Sequence, residues 1–188
     1  MTVLDVLETA SLYLNLRNDF DYYFNENNNT SPSSEVQNKF ATMLKALNLI
    51  VQEVAVEFKP VYMEENLNFV NGVGDLSSLT ETVNKVVCVK DIFKSYKFSV
   101  INGKILADVN GEKIIKYSYI PEELSQTDDI PFDEQVGEKT LAFGVCMEYL
   151  FLNNVLDEVS VWEDRFYKSL KNSLRNVGRY NMPKRRWL

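Results

Sequence analysis

The chain of 188 residues contains no histidine. That removes the usual general base, the commonest metal ligand, and every Ser–His or Cys–His nucleophile pair. Cysteine is nearly as scarce. Cys88 and Cys146 stand too far apart for a zinc-site spacing. In a protein made in a cytoplasm both are expected as reduced, mostly buried thiols. Glycine is limited to seven residues and proline to five. Gly72-Val73-Gly74 lacks the third glycine of a dinucleotide fingerprint, and no GxxxxGK[ST] phosphate loop occurs. No apolar run approaches the ~20 residues of a membrane span, so no membrane partner is expected. The start Met1-Thr2-Val3-Leu4-Asp5 has neither the basic opening nor the cleavage site of a secretory leader. Synthesis in a cytoplasm follows, and the glycosylation pattern at Asn28 and Asn29 is then accidental.

Paired carboxylates occur at Glu64-Glu65, Glu122-Glu123 and Asp128-Asp129. The last two pairs lie beside Pro121 and Pro131 in an expected loop. A solvated turn explains them better than an acid/base or metal site. The expectation is therefore a protein that is not an enzyme, with no catalytic residue, cofactor or metal.

What is present begins with charge. The net charge is −7, but no acidic residue follows Asp164. Arg165, Lys168, Lys171, Arg175, Arg179, Lys184, Arg185 and Arg186 give that segment +8, leaving −15 for the remainder. Such a split favours head-to-tail self-association or a basic tail seeking an acidic partner. The plainer alternative is a solvated terminal helix with a frayed end.

Along the chain, Thr2 and Asp5 form a capping box for a short helix ending near Leu16. Asn18–Ser33 follows, rich in Asn, acidic residues and aromatics. Its first half, with Phe20, Tyr22, Tyr23 and Phe24, is too apolar to stay in water and must pack on the core or on a neighbouring subunit. Residues 25–33 have turn chemistry and no periodicity. Ser34 and Gln37 predict a second capping box. The stripe Val36, Phe40, Met43, Leu44, Leu47, Val51, Val54 and Phe58 predicts a long helix that Pro60 ends.

Between residues 61 and 120 short apolar segments alternate with turns. Asn102-Gly103 and Asn110-Gly111 are strong hairpin signals, because both central residues of a type I′ turn need positive φ. An antiparallel meander of four or five strands is expected. Asp133 then caps a third helix over about 134–153, with Val136, Thr140, Phe143, Met147 and Leu150 inward. Ser160 and Glu163 cap a fourth, with Trp162, Phe166, Leu170, Leu174 and Val177 on its apolar face. Gly178 stops it. The predicted class is α+β: a helical bundle drawn from both chain ends, a central antiparallel β-meander insertion, and an extended C-terminal arm. Residues 1–178 form one domain with a β-rich lobe at about 61–120, and 179–188 form the arm.

The arm carries the binding chemistry. Arg179, Tyr180, Met182, Lys184, Arg185, Arg186, Trp187 and Leu188 include the residue types enriched at interface hot spots. Pro183 favours an extended backbone. A disordered terminus is the competing reading. Lys184-Arg185-Arg186 beside Trp187 could hold a phosphate backbone, but the acidic body repels DNA, so specific recognition is not expected.

Several stretches, taken in order, carry a resemblance. They are Val36–Phe58 leading to Lys59-Pro60, Val86–Asp91, Tyr96–Val100, Asn102-Gly103-Lys104-Ile105, and Lys113–Tyr119. Ile130-Pro131-Phe132 and Trp162–Tyr167 complete them. From about residue 35 onward the chain resembles the head-to-tail connector, or adaptor, proteins of podovirus-like phages, including tail tubular proteins. Its composition is also similar to ring proteins of crAss-like phages. Residues 25–33 have no counterpart in that layout.

The resemblance implies a structural virion protein made in the host bacterial cytoplasm and located at the head–tail junction. It would form a homo-oligomeric ring, of about twelve copies, that connects the portal to the tail and lines the DNA channel. The portal protein would be the partner of the arm, residues Arg179, Tyr180, Met182, Pro183, Lys184, Arg185, Arg186, Trp187 and Leu188. Phe20, Tyr22, Tyr23 and Phe24 would serve neighbouring subunits, and tail or next-ring proteins would be further partners. Genomic DNA would pass without specific binding, which an acidic wall favours. The alternative is another assembly or scaffold protein that binds a partner through the same basic aromatic tail.

Overall fold

Thr2 opens the first helix. Its hydroxyl accepts the Asp5 amide at 3.2 Å and the Asp5 carboxylate accepts the Thr2 amide at 2.8 Å, the reciprocal pair the sequence predicts. The computed structural model describes residues 1–24, 32–132 and 135–174. Among these, five α-helices flank seven strands in chain order, an α+β protein whose strand pairs are all antiparallel.

Helix α1 (Val3–Tyr13) buries Val3, Val6, Leu7 and Ala10. Asn15, at φ 57°, turns the chain into α2 (Arg17–Phe24), a segment to which the sequence reading assigned no secondary structure. Arg17 pairs with Asp21 one turn on at 3.0 Å, and Phe20 and Phe24 share a face at i, i+4. Packing against the next helix supplies what so short a segment lacks alone.

Helix α3 (Ser34–Glu53) is capped by Ser33, not Ser34. The Ser33 hydroxyl accepts the Val36 amide at 3.4 Å, and Gln37 donates to the Pro32 carbonyl at 3.0 Å. Phe40, Met43, Leu47 and Val51 are buried as predicted, and Ala46 and Ile50 join them. The helix then widens into a π-helical turn over Val54–Phe58, closed by the Lys59 amide on the Val54 carbonyl at 2.7 Å. The wider turn rotates later residues off the stripe. Phe58, predicted inward, is therefore exposed and leans on Tyr167 with ring centres 5.9 Å apart.

Helix α4 (Glu138–Leu152) starts after Gly137, and Thr140, Met147 and Leu150 are inward. The predicted cap Asp133 lies outside the described residues. This helix is apolar nearly all round, as a central helix must be, and it packs on α1 and α3. At Gly144 an added Cβ would sit 2.8 Å from Ile50 and 3.0 Å from Phe166, so only glycine permits this approach. Helix α5 (Leu156–Ser173) packs on α4 and begins earlier than predicted. Ser160 lies within it and caps nothing. Phe166 and Leu170 are buried, while Trp162 and Leu174 pack partly buried. Val177 and Gly178 lie outside the described residues. Helices from both ends thus share one apolar core.

The strands are β1 (Val61–Phe69), β2 (Val73–Asp75), β3 (Val83–Lys90), β4 (Ser95–Tyr96), β5 (Phe98–Ile101), β6 (Lys104–Ala107) and β7 (Gly111–Tyr119). They form two sheets, in the orders β1-β7-β3-β4 and β2-β6-β5. This is not the predicted meander. The longest strands, β1 and β7, pair over their full lengths, from Val61↔Tyr119 to Phe69↔Gly111. Asn102-Gly103 is the predicted hairpin, with φ 50° and 72° between paired Ile101 and Lys104. Asn110-Gly111 is not a hairpin. Only its glycine has positive φ, and it carries the chain from the three-stranded sheet into the four-stranded one. The third Asn-Gly pair, Asn71-Gly72, makes the tight turn between β1 and β2, with φ 52° and 78°. A Cβ on Gly72 would lie 2.7 Å from the Ala107 carbonyl oxygen.

The lobe has its own core around Phe69, Val89, Ile105, Ile115 and Tyr117. The chain returns to the helices along residues 120–132. There Asn48 exchanges two hydrogen bonds with the Leu124 backbone, at 2.8 and 3.1 Å, and Gln52 donates to the Pro121 carbonyl at 3.2 Å. Among the described residues no helix is long and apolar enough to cross a membrane.

Candidate interaction surfaces

The aromatic segment is largely spent on the protein's own core. Phe20 is buried, with its ring 5.6 Å from Phe40 and 4.6 Å from Phe24. Tyr23 and Phe24 are half-buried against the same cluster, their rings 4.9 and 5.8 Å from Phe40. Of the two alternatives the sequence left for this segment, packing on the core is the one observed. Phe20 therefore has no surface to offer a neighbouring subunit. Of the four residues Tyr22 is the most exposed. The proposed arm, Arg179–Leu188, lies outside the described residues.

Two other surfaces expose more apolar area. The first is the β3–β4 turn. Ile92 and Phe93 stand at its apex and are 87% and 91% exposed, values unusual for such side chains held in an ordered turn. Asp91 makes the order. Its carboxylate accepts the Phe93 amide at 2.8 Å, the Lys94 amide at 3.0 Å, and the Tyr96 hydroxyl. The Tyr96 hydroxyl first, then the two amides, hold the Asp91 carboxyl down at about 2. The Asp91 amide donates back to the Lys94 carbonyl at 2.9 Å. Neither Ile92 nor Phe93 has positive φ; the Asp91 side chain does the work that Asn-Gly does elsewhere in this lobe.

The second surface is the elbow between α4 and α5. Asn153 caps α4, and Asn154 at φ 60° reverses the chain. Residues 151–158 are all exposed, among them Phe151, Leu152, Val155 and Leu156. The far end of α5 is pinned instead: the Tyr167 hydroxyl donates to Glu53 at 2.8 Å, and burial with that carboxylate pushes Tyr167 up to about 12.

Glu64, Glu65 and Asp128, from two of the carboxylate pairs, sit in three settings, and Glu122 and Glu123 are exposed. Glu64 faces outward on β1 and meets Lys90 at 2.8 Å and Lys116 at 3.9 Å, with Lys90 holding its carboxyl below the ordinary range. Glu65 faces inward and takes hydrogen bonds from the Tyr117 and Thr80 hydroxyls. Asp128 accepts the Ser125 amide at 2.7 Å within a turn. Among the described residues no three Asp, Glu or Cys side chains converge as a metal site would require. A concavity of about 580 Å³ between Asn71-Gly72-Val73 and Lys97-Phe98-Ser99 is open to solvent.

No known family model matches the chain, and no curated protein is significantly similar to it.

Sequence reading missed both apolar surfaces. It placed the start of α5 at Ser160, because Ser160 and Glu163 imitate a capping box. Asp91, three residues before Lys94, and the Asn153-Asn154 pair were the available turn signals.

Proposed function

We propose that this protein is a non-enzymatic structural component of a phage particle, a ring-forming connector between portal and tail. The observation that carries the reading is architectural. Helices from both chain ends share one core, a strand-rich lobe is inserted between α3 and α4, and α5 leads into the basic, aromatic sequence of residues 175–188. That order resembles the layout expected of the connector family named above: N-terminal helices, a central strand-rich insertion, two further helices and a C-terminal arm. The −15 carried by the rest of the chain also suits a channel wall from which DNA must not stick.

On this reading the arm, Tyr180 to Leu188, contacts the portal. Its arginines and lysine supply charge, and Trp187, Leu188, Met182 and Tyr180 supply the buried anchors. The helical body and lobe form the ring wall, and no chemistry is performed.

The test is mixing purified protein with portals and viewing the product by electron microscopy. Rings capping the portals are expected from the full chain. Deleting Gly178–Leu188 should abolish capping while leaving the circular dichroism spectrum intact. Capping by the truncated chain refutes the arm assignment. Mass spectrometry of mature particles decides the wider reading, since a connector must be present in them. Absence from particles would leave an assembly factor that uses the same tail.

A further inference from the structure

The two chain segments that carry the exposed apolar surfaces are opposite in charge. Residues 85–104, which include the β3–β4 turn, carry Lys85, Lys90, Lys94, Lys97 and Lys104 against the single acid Asp91. Residues 140–164, which include the α4–α5 elbow, carry Glu148, Asp157, Glu158, Glu163 and Asp164 and no base. Beside the knob of Ile92 and Phe93, Lys94 and Lys97 are exposed. Lys94 stands over the Tyr96 ring at 4.8 Å, and neither lysine reaches a carboxylate among the described residues. Beside the elbow, Asp157 and Glu158 are exposed and have no basic partner among the described residues. Among the described residues each apolar patch is therefore rimmed by charge without an ion-pair partner, of the sign the other needs.

Neither patch is covered by the described residues of its own chain. The knob belongs to the lobe and the elbow to the helical body, and both remain exposed in the folded protein. We infer that the knob of one copy docks on the elbow of the next. Ile92 and Phe93 enter the apolar surface of Phe151, Leu152, Val155 and Leu156, while Lys94 and Lys97 face Asp157 and Glu158. Because the two surfaces differ, the contact is head-to-tail, and repeated contacts close into a ring if the rotation permits. An aromatic side chain buries roughly 200 Å², against ~800 Å² per partner in a standard stable interface. One such contact is weak, so copies associate at high concentration or on a template that repeats it. This deepens the ring reading by naming the surfaces between subunits, and it does not involve the portal.

The experiment uses full-length chains in a Cys88→Ser background. One copy carries Ser95→Cys beside the knob, and the other carries Ser160→Cys one turn past the elbow; both positions are exposed. The copies are mixed at high concentration with a short bismaleimide. The mixed product should exceed either self-product by about tenfold, the ratio that 1.4 kcal/mol of preference gives. Charge reversal sharpens the result. Lys94→Glu with Lys97→Glu on the knob copy should remove the excess, and Asp157→Lys with Glu158→Lys on the elbow copy should restore it. A mixed product no more than about twice either self-product, the ratio of random pairing, or no rescue by the second reversal, overturns the inference. So does retention of a short DNA duplex by the wild type that Phe93→Asp abolishes, which would assign the knob to nucleic acid. Portals capped without a mixed product would remove this interface and leave the connector reading standing. A mixed product without capping would do the reverse.

Discussion

The helical body and the β-lobe solve the same problem with different means. Among the described residues the body buries twenty-one apolar residues in one cluster, and the lobe only nine. A core that small stabilises weakly by itself, and the lobe adds hydrogen bonds to charged groups. Glu65 takes the Tyr117 hydroxyl behind the sheet, and Asp91 takes the Tyr96 hydroxyl at the turn. The body has such bonds too, as between Tyr167 and Glu53, but adds the closer packing seen at Gly144. The difference teaches where partners can act. The side chains that hold the body together are unavailable to other molecules, whereas the lobe projects Ile92 and Phe93 outward on a frame held by polar bonds.

Five experiments would break or sharpen that contrast. The largest effect belongs to the body. Phe166 has no exposed surface, and Phe166→Ala should cost about 3–5 kcal/mol in urea unfolding. A loss under 1 kcal/mol would mean that α5 is not part of the core. The two thiols come next, since each region holds one. Burial pushes Cys146 up to about 12, so roughly one in ten thousand molecules carries its thiolate at pH 8. Cys88 is only half-buried. Iodoacetamide followed by peptide mass spectrometry should label Cys88 about a hundredfold faster; comparable rates would show that the body opens as readily as the lobe.

Within the lobe, Tyr117→Phe strips a donor from the inward-facing Glu65 and should cost about 1.5–3 kcal/mol. A neutral result would mean that packing alone holds this core. Asp91 predicts a local effect. Its folded value lies below its ordinary 3.8, at about 2, so its contribution is complete above about 4 and is lost as pH falls through about 2. The Phe93 and Lys94 amide resonances should titrate with a midpoint near 2, and Asp91→Ala should flatten that titration. A midpoint near 3.8 would mean that the carboxylate does not organise the turn. Phe93→Ala is the control with the least effect, within about 0.5 kcal/mol, since so exposed a ring contributes to no core.

Local signals succeeded where a few neighbouring residues decide the outcome. The Thr2–Asp5 box, the face of α3 and the Asn102-Gly103 turn each rest on contacts spanning a few positions. They failed where distant segments decide. Asn110-Gly111 has the composition of a hairpin, yet β7 pairs with β1 some fifty positions back, and the chain must change sheets there to reach it. Phe20 and Phe24 resemble interface aromatics until Phe40 arrives to cover them. Of the candidate binding residues, the arm is legible only as composition, and the knob and elbow were not legible at all, because exposure depends on what the rest of the chain leaves uncovered.

The sequence by itself determined the α+β class, the lack of imidazole chemistry, and the charge split between an acidic body and a basic end, since each depends only on which residues are present and on short spacings. The tertiary structure alone decided the strand order, the shift of Phe58 off its stripe, and which apolar side chains meet solvent. Those outcomes depend on contacts between residues far apart in the chain, and no local pattern encodes which distant segment will arrive.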